Sequence, residues 1–475
     1  MEFLHEMILK VNDFIWTYIL IAILIVLGLY FTFKTKFVQF RYFIEMFRLL
    51  GDGTSGEKKE GSISSFQAFC ISTASRVGTG NIAGIAMAVV AGGPGSVFWM
   101  WLIALVGSAS SFVESTLAQI YKVKDKESFR GGPAYYIEQG LGSKNMGILF
   151  SVLITICFGF IFNAVQSNTI AAAFNNAFKF DRLIVGIVLA SITGIIIFGG
   201  VHRVAKVSEI IVPIFAVLYI LVSLFVVFIN ISEIPNILKM IFESAFGFRE
   251  MSVGTIGGMI LVGIKRGLFS NEAGMGSAPN AAATADVTHP VKQGLIQTLG
   301  VFTDTIVICS CTAFMILLYP GYSTAGLEGI ELTQAALSSQ IGPIGNVFIA
   351  ICILLFAFSS IVGNYYYGES NIEFISGNKT VLNLFRVLVV GMVLFGSVAK
   401  VAIVWDLADL FMGLMAIINL IAISLLGKYA FIALNDYTKQ KKAGIKDPVF
   451  VASNIKGLEK VSQWQVQEDE EENAI

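Results

Sequence analysis

Long apolar stretches alternate along the chain with short polar segments. A stretch of roughly 20 apolar residues is long enough to cross a bilayer as a helix. Membrane β-barrels show short alternating segments instead, so the pattern favours an all-α polytopic membrane protein. The pattern predicts about eleven membrane-spanning helices, at 14–33, 64–92, 96–121, 146–175, 183–200, 208–230, 253–285, 294–319, 343–366, 381–399 and 403–426.

The segments that flank the spans carry their own signals. Acidic residues, and not the basic segment of a signal peptide, precede the first apolar stretch, so we expect this stretch to be retained as a span. The segment 34–61 mixes phenylalanines with basic residues and is expected to lie on the inner membrane surface. Residues 235–246 predict a similar helix outside. Ordinary connectors are the alternative interpretation of both segments.

Lysine and arginine are distributed unevenly between the two sides of the predicted membrane. Twenty-two fall in loops and a tail on one side, six on the other side, and four within spans. Cytoplasmic loops carry the excess of basic residues. The bias therefore predicts a protein of the cell membrane with an extracellular N-terminus and a cytoplasmic C-terminus. An odd number of spans agrees with that orientation.

The composition agrees with a lipid-embedded chain. Of the 475 residues, 55% are hydrophobic and 14% are charged, whereas soluble domains carry ~25% charged residues. A net charge of −1 without a basic cluster argues against a nucleic-acid partner. The five cysteines lack CxxC spacing and are expected to be buried free thiols. The sequence has no HExxH or GxSxG motif, which argues against an intramembrane enzyme.

Two of the predicted spans contain glycine and small polar residues where an unbroken apolar helix is expected. The interruptions are 78–84 (GTGNIAG) and 267–276 (GLFSNEAGMG). Backbone can open inside a membrane only where it lines a cavity or is buried in protein. Paired interruptions in two halves of a chain are typical of a transporter binding site, where opened half-helices expose N–H groups to a carboxylate and carbonyls to Na⁺.

The first interruption has two alternative interpretations. Its GxGxxA pattern matches a loose dinucleotide fingerprint, but the motif lies within a span and lacks an acidic residue about 20 positions on. The pair Gly80 and Gly84 could also form a close helix-packing face. That alternative explains the glycines but not Thr79 and Asn81.

The positions of the interruptions predict an internal repeat. Without the first span, ten helices divide into two halves of five, and an interrupted helix comes first in each half. Because five is an odd number, the second half begins on the opposite side of the membrane from the first. The repeat is therefore inverted. The predicted organisation is an N-terminal region with the extra helix and amphipathic loop (1–63), a first repeat broken at 77–81 (64–232), an extracellular linker helix (233–252), a second repeat broken near 267–276 (253–426) and a cytoplasmic tail (427–475).

Several motifs together resemble the alanine/glycine:cation symporter family, from residue 14 to about 430. They are 76–81 (RVGTGN), 92–101 (GGPGSVFWMW), 129–136 (FRGGPAYY), 266–276 (RGLFSNEAGMG), 362–369 (VGNYYYGE) and 405–409 (WDLAD). The resemblance implies the leucine-transporter fold and Na⁺-coupled uptake of a small neutral amino acid. Some members of the family are assigned glutamine as the substrate.

The resemblance also implies a sodium site. In this fold the first broken helix supplies carbonyls and the eighth core helix supplies two adjacent hydroxyls, and the matching positions here are Ala74, Val77, Ser359 and Ser360. Sodium would be co-transported and not a resident cofactor. The sequence offers no clear second set of oxygens, so the number of coupled sodium ions is left open.

The same comparison places the substrate between the two interruptions. Polar candidates come from both breaks and from an amide in mid-span, and two aromatic residues are candidates for an apolar wall that limits substrate size. The set is Thr79, Gly80, Asn81, Gln166, Phe269, Ser270, Asn271, Gly274 and Trp405. Interhelical hydrogen bonding is the alternative for Gln166, and ordinary packing is the alternative for Phe269 and Trp405.

Several ionisable residues fall within the predicted spans. Those considered for a functional role are Arg76, Glu114, Glu272, Asp304 and Asp406. Charged groups in a bilayer are expensive and mark functional sites by default. Structural pairing or gating is the alternative to direct ion binding. Proton coupling through Glu272 or Asp304 is a second alternative.

Taken together, the sequence predicts a secondary active transporter whose partners are a small neutral amino acid, alanine or glycine, a sodium ion and the lipid bilayer. A sodium-coupled glutamine transporter and a proton-coupled symporter are the alternatives. A channel usually forms its filter by symmetric assembly, and a receptor does not need paired helix breaks. The sequence is compatible with a monomer.

Overall fold

The computed structural model describes residues 2–51, 62–125, 128–247, 255–458 and 461–464. In this part of the chain the fold is helical apart from one antiparallel hairpin, β1 (Val123–Asp125) with β2 (Ser128–Arg130). The helices are α1 (Glu2–Phe14, Ile15–Leu20 and Ile21–Lys34 in one run), α2 (Val38–Arg41), α3 (Phe43–Leu50), α4 (Ser65–Arg76), α5 (Gly80–Gly92), α6 (Gly95–Ile120), α7 (Pro133–Leu141), α8 (Lys144–Phe178), α9 (Arg182–Ile197), α10 (Gly200–Ile229), α11 (Ile234–Ala245), α12 (Ile256–Asn271), α13 (Ala278–Ala282), α14 (Pro290–Leu317), α15 (Gly329–Ile341), α16 (Ile344–Ile375), α17 (Lys379–Val398) and α18 (Val401–Lys442).

Four of these helices contain a π-helical turn, in which the backbone bonds run from i to i+5. The turns are Ile15–Leu20 in α1, Gly80–Gly84 in α5, Thr155–Phe162 in α8 and Phe302–Cys309 in α14. Such turns are rare and are frequently found at functional sites.

Among the described residues, eight helices are long and apolar enough to cross a membrane, or nine if the bent pair α4 and α5 is one span. The pair bends by 50°. The outer faces of these helices are apolar: α10, for example, exposes Ile214, Leu221 and Phe228. A multi-span membrane protein is therefore confirmed.

Three features differ from the sequence prediction. Residues 267–271 are helical, and the second interruption begins at Glu272 and ends before α13. The last helix does not stop near 426 but continues to Lys442. The loop after α6 contains the β-hairpin and α7, neither of which was predicted.

Both flanking segments are helical, as predicted, and their position on the inner and outer membrane surfaces stays a prediction. The segment after α1 forms the short amphipathic helices α2 and α3, which expose Phe37, Phe40, Phe43 and Phe47, and residues 52–61 of that segment lie outside the described part. Helix α11 covers most of the predicted linker helix. All five cysteines are buried and free.

The helices pack around α6, which contacts α12 on one side and α14 on another. A second group forms where α8 packs against α16 and α17. Local signals fix where several helices begin. Ser64 and Gln67, for example, form a reciprocal capping box at the start of α4, which satisfies two N–H groups that the first turn leaves free.

The chain after α18 turns back onto the bundle. The Phe450 N–H donates to the Thr288 carbonyl at 3.0 Å, and the Trp464 indole N–H donates to the Gln119 carbonyl at 2.8 Å. Both side chains are buried. The acidic run 468–472 lies outside the described residues.

Candidate functional site

The first break, residues 77–79, is held by two amide side chains. The Gly78 N–H donates to Asn81 Oδ1 and the Thr79 N–H donates to Gln166 Oε1, each at 2.9 Å. A Cβ at position 78 would lie 2.8 Å from Gln166 Oε1 and closer still to Ser360 Oγ, so a residue larger than glycine would displace both side chains. The Thr79 hydroxyl is buried and makes no hydrogen bond with any described residue. Three predicted site residues, Thr79, Asn81 and Gln166, therefore meet at this break.

A polar cluster joins the first break to α12 and α14. The Asn81 amide donates to Ser270 Oγ at 2.9 Å and to Asp304 Oδ1 at 2.5 Å, and the Ser270 hydroxyl donates to Asp304 Oδ2 at 2.6 Å. All three side chains are fully buried. The thiol of Cys309 lies 3.0 Å from Ser270 Oγ. An amide, a hydroxyl, a carboxylate and a thiol from three helices thus meet at one point.

Two of the four residues of the expected sodium site, Val77 and Ser360, are in contact. The Ser360 hydroxyl is 3.3 Å from the Val77 carbonyl and 3.0 Å from the Phe356 carbonyl, to which the Ser359 hydroxyl also donates at 2.8 Å. An unbroken helix would pair the Ala74 carbonyl with the Gly78 N–H, which donates to Asn81 instead. The break therefore leaves the Ala74 carbonyl without its helical partner and places the Val77 carbonyl beside the buried hydroxyl of Ser360.

Glu114 of α6 holds the second break open. Its two carboxylate oxygens accept the N–H groups of Gly274 and Gly276, at 3.0 and 3.1 Å, and the Asn419 amide donates to the same carboxylate at 2.7 Å. Asn419 also donates to the Gly274 carbonyl at 2.9 Å. The N–H and the carbonyl of Gly274 are thus bonded to Glu114 and Asn419, and not to residues of the Asn81 cluster.

Asn271, the last residue of α12, lies between these two regions. Its Oδ1 accepts the N–H of Ala273 at 3.0 Å, and its amide donates to Thr305 Oγ1 at 3.2 Å. The Thr305 hydroxyl donates in turn to Asp304 Oδ2 at 2.9 Å. Asn271 therefore braces the carboxylate that Asn81 and Ser270 also contact.

An aromatic stack covers the first break. The Phe269 ring lies 4.7 Å from the rings of both Phe162 and Trp405. A Cβ at Gly80 would lie 2.9 Å from the Phe269 ring, so Phe269 rests directly on the opened backbone. Phe269 and Trp405 are 4% and 3% exposed.

Charged residues lie on the other face of this stack. The Arg266 guanidinium lies 4.9 Å from the Trp405 ring centroid and pairs with Asp409, and Lys265 lies 3.4 Å from the same carboxylate. Beyond Trp405 is a cavity of about 290 Å³ lined by residues of α5, α8 and α15, among them Met87, Thr169 and Glu331. The stack thus separates the Asn81 cluster from this cavity.

The ionisable residues fall into different settings. Asp304 lies in the Asn81 cluster and Glu114 caps the second break, as described above. Asp406 is partly exposed and lies 2.7 Å from His5 Nε2. Arg76 is buried and donates from Nη1 to the Gln297 carbonyl at 3.3 Å.

Sequence reasoning did not place Asp304 with Asn81, and it assigned no partner to Glu114. It also missed Cys309, Phe162 and Asn419. One sequence signal could have indicated Asp304: it is a carboxylate inside a predicted span, and that span directly follows the one with the second interruption. No sequence spacing indicates that Glu114 lies opposite two glycine N–H groups 160 residues away.

Comparison with known proteins decides the family. The model of the sodium:alanine symporter family matches residues 1–452. The chain belongs to the sodium:alanine symporter family. Members of this family are membrane transporters and not enzymes.

Two relatives from Bacillus subtilis (strain 168) match this symporter over nearly their full lengths. The amino-acid carrier protein AlsT is 58% identical over 100% of both chains. The probable sodium/glutamine symporter GlnT is 57% identical over 98% of this chain and 97% of its own. The solved structure of MhsT in complex with L-phenylalanine superposes with a TM-score of 0.55 at 15% identity, over 79% of this chain and 96% of MhsT. This match confirms the leucine-transporter fold.

Proposed function

We propose that this symporter couples the entry of sodium to the uptake of a small neutral amino acid, alanine or glycine, by alternating access. The observation that carries the proposal is the convergence of both broken helices on one buried polar centre, where Asn81, Gln166 and Ser270 meet around residues 77–79. Membership of the sodium:alanine symporter family supports the choice of ion and substrate class.

The substrate carboxylate would bind at the first break. The oxygens of Asn81 and Gln166 now accept the N–H groups of Gly78 and Thr79. Two amide oxygens side by side present the same pattern as the two oxygens of a carboxylate. A substrate carboxylate would replace Gln166 at the Thr79 N–H, and the unpaired Thr79 hydroxyl would supply a further donor. The freed Gln166 amide could then bind the substrate.

The aromatic stack would set the size limit of the substrate. Phe269 and Trp405 lie over Gly80 and Gly84, so a side chain larger than methyl would meet the rings. Opening of the Phe269–Trp405 pair would connect the polar centre to the cavity that holds Glu331. That movement would serve as the gate of alternating access.

Sodium would bind to the carbonyls of Ala74 and Val77 and the hydroxyls of Ser359 and Ser360. The break in α4 frees the carbonyls, and α16 brings the Ser360 hydroxyl to the Val77 carbonyl, while the adjacent Ser359 hydroxyl now donates to Phe356 and would have to turn towards the ion. Neutral oxygens of this kind suit a hard monovalent cation, and unwound backbone supplies them in transporters. One charge moved across ~100 mV supplies about 2.3 kcal/mol to transport.

Glutamine is the second candidate substrate, because GlnT is named as a probable sodium/glutamine symporter and is 57% identical to this chain. The proton is the alternative coupling ion, because two buried carboxylates, Glu272 and Asp304, lie beside the breaks.

We further propose eleven spans in an inverted five-plus-five repeat. The eight long apolar helices, the pair α4–α5, the shorter α9 and the pair α12–α13 supply that number. The proposed repeats are 64–232 and 253–426, preceded by the extra helix α1 and joined by α11. The lysine and arginine bias supports an extracellular N-terminus and a cytoplasmic C-terminus in the cell membrane.

Uptake into proteoliposomes of purified protein tests this proposal. Labelled alanine, glycine and glutamine would be compared under an inward Na⁺ gradient, with K⁺ in place of Na⁺, and under a pH gradient. We expect concentrative uptake of alanine or glycine with the Na⁺ gradient alone. Preferential uptake of glutamine would overturn the substrate assignment, and uptake driven by the pH gradient without Na⁺ would overturn sodium coupling.

A further inference from the structure

Glu272 lies where both broken helices meet α16. It is the first residue of the second break, is 1% exposed and has a φ of +57°, a left-handed conformation that residues other than glycine rarely adopt. Its Oε1 accepts from the hydroxyl of Ser75 in α4 at 2.8 Å, and its Oε2 accepts from the hydroxyl of Ser277, just before α13, at 2.6 Å. Surrounding contacts thus hold a strained residue in place, as is common at functional sites.

The polar groups around Ser75 are incompletely paired by hydrogen bonds. The Ser75 hydroxyl lies 2.8 Å from Glu272 Oε1 and 2.7 Å from Asn364 Oδ1, so one hydrogen serves two acceptors. Among the described residues, the buried Nδ2 of Asn364 has no hydrogen-bond partner, and the buried Tyr367 hydroxyl, beside Ser75, has none of normal geometry. Buried polar atoms without partners are rare in folded proteins and call for an explanation.

Glu272 is also the least compensated of three buried carboxylates near the breaks. Glu114 and Asp304 each accept three donors, whereas Glu272 accepts two hydroxyls, one of which is shared. In the described part of the chain, the neighbouring guanidinium of Arg76 forms no ion pair within 4 Å, and its Nε and Nη2 have no hydrogen-bond partner. An anionic carboxylate in the membrane interior is costly without a countercharge.

We propose that Glu272, Ser75, Ser277 and Asn364 form a second sodium site, with the Tyr367 hydroxyl as a further oxygen. This inference rests on the proposed sodium symport. The carboxylate, hydroxyl and amide oxygens are hard ligands that suit a hard cation. Asn364 follows Ser360 by four residues on α16, so the second site lies about 6 Å along the helix from the proposed first site.

The proposal gives this symporter two coupled sodium ions for each amino acid. Ser75 directly follows Ala74, and Asn364 lies one turn from Ser360, so α4 and α16 would supply ligands to both ions. Glu272 and Ser277 would add the second break to the same assembly. The carboxylate would offset the repulsion between two cations at this separation.

Binding of radioactive sodium to purified protein in detergent, without substrate, tests the site directly. We expect about two sodium ions per wild-type chain and about one in Glu272→Gln and in Ser360→Ala. The sodium concentration for half-maximal uptake should rise by roughly tenfold or more in Glu272→Gln, and the Hill coefficient for sodium should fall from about two towards about one. Ser277→Ala, a smaller change that removes one ligand, should show the same direction if Glu272→Gln does not fold.

Matched controls are available on α16. Glu369→Gln removes a buried carboxylate that pairs with Arg386, and Ser370→Ala removes a buried hydroxyl without a partner. Both should bind about two sodium ions, because neither residue contributes to the two proposed sites.

The possible outcomes separate this inference from the proposed function. One sodium per wild-type chain, or two in both Glu272→Gln and Ser277→Ala, would overturn the second site while leaving sodium symport intact. An unchanged sodium count in Glu272→Gln with a lost pH dependence of uptake would make Glu272 a proton site and also overturn the proposal. No sodium binding and no sodium-driven uptake in the wild type would overturn the proposed function itself.

Discussion

The Asn81 amide donates a 2.9 Å hydrogen bond to the Ser270 hydroxyl, and this contact joins the two broken helices across 189 positions of sequence. Both residues also contact Asp304, so movement of either break would disturb the same carboxylate. The Asn81–Ser270 hydrogen bond therefore couples the positions of the two broken helices.

Replacement of Asn81 by alanine should abolish this link. Asn81→Ala removes one acceptor from the Gly78 N–H and one donor from a buried carboxylate, and a hydrogen bond to a charged group contributes about 1.5–3 kcal/mol. We expect sodium-driven uptake to fall at least about tenfold. Asn175→Ala, at an exposed position, is the control and should transport normally. Unchanged uptake in Asn81→Ala would remove Asn81 from the site.

Shortening Phe269 should widen the range of substrates. Phe269→Ala removes the ring that rests on Gly80 and stacks on Trp405, which leaves room above the first break. We expect amino acids with branched or longer side chains to inhibit the uptake of labelled alanine more strongly in Phe269→Ala than in the wild type, measured as lower inhibition constants. Phe385→Ala, which creates a comparable space at a buried position between α8, α16 and α17, is the control. Equal broadening in both variants would show that Phe269 does not set the size limit.

Replacement of Glu114 by glutamine should destabilise the second break. A carboxylate accepts from both glycine N–H groups, whereas an amide offers one oxygen and turns its NH₂ towards one of them. An unsatisfied buried donor costs about 1–3 kcal/mol, so we expect a clear drop in the thermal unfolding midpoint in detergent. Glu243→Gln, a carboxylate near the surface paired loosely with Lys239 at 3.7 Å, should change it little. Similar midpoints for the two variants would contradict the capping role of Glu114.

The ammonium group of Lys122, just after α6, should make stability depend on pH. It donates to the Ala285 carbonyl at 2.9 Å and lies against the rings of Phe129 and Trp464. Burial lowers the pKa of Lys122 to about 7, although Asp286 acts in the opposite direction and Lys124 in the same direction.

The sign of this dependence follows from proton binding. Between pH about 7 and the ordinary lysine pKa near ~10.4, the unfolded chain binds more protons than the folded one, so stability should rise with pH. The cost of burying the charge is fully present below pH about 7. The unfolding midpoint should therefore increase from pH 7 to pH 9 in the wild type and increase less in Lys122→Met. An equal increase in both would exclude Lys122 as the cause.

Much of the site could be predicted because glycine and small polar residues are conspicuous in an apolar span. Asn81, Gln166 and Ser270 stand out for that reason, and the structure brings them together. The adjacent serines 359 and 360 were found through the family resemblance, since a pair of serines in a helix is otherwise unremarkable in a membrane protein.

The remaining features depend on contacts between distant parts of the chain. The glycines at 267, 274 and 276 allow the helix to break anywhere between them. The break lies after Asn271 because Glu272 contacts Ser75 and because Glu114 accepts the N–H groups of the later glycines. Helix α18 continues past the predicted span because its amphipathic end packs against the rest of the protein, with Tyr437 bonded to Glu45. Hydropathy alone carries no signal for either.

Three of the π-helical turns bear directly on the polar centre. Asn81 lies in the turn of α5, Asp304 in the turn of α14, and Gln166 shortly after the turn of α8. A π turn holds one residue more than an α turn, and each residue of an α-helix turns the chain by about 100°. The count of residues is thus as important as their identity: deletion of a single residue from any of these turns, even an apolar one, would rotate the rest of the helix and separate the three polar side chains.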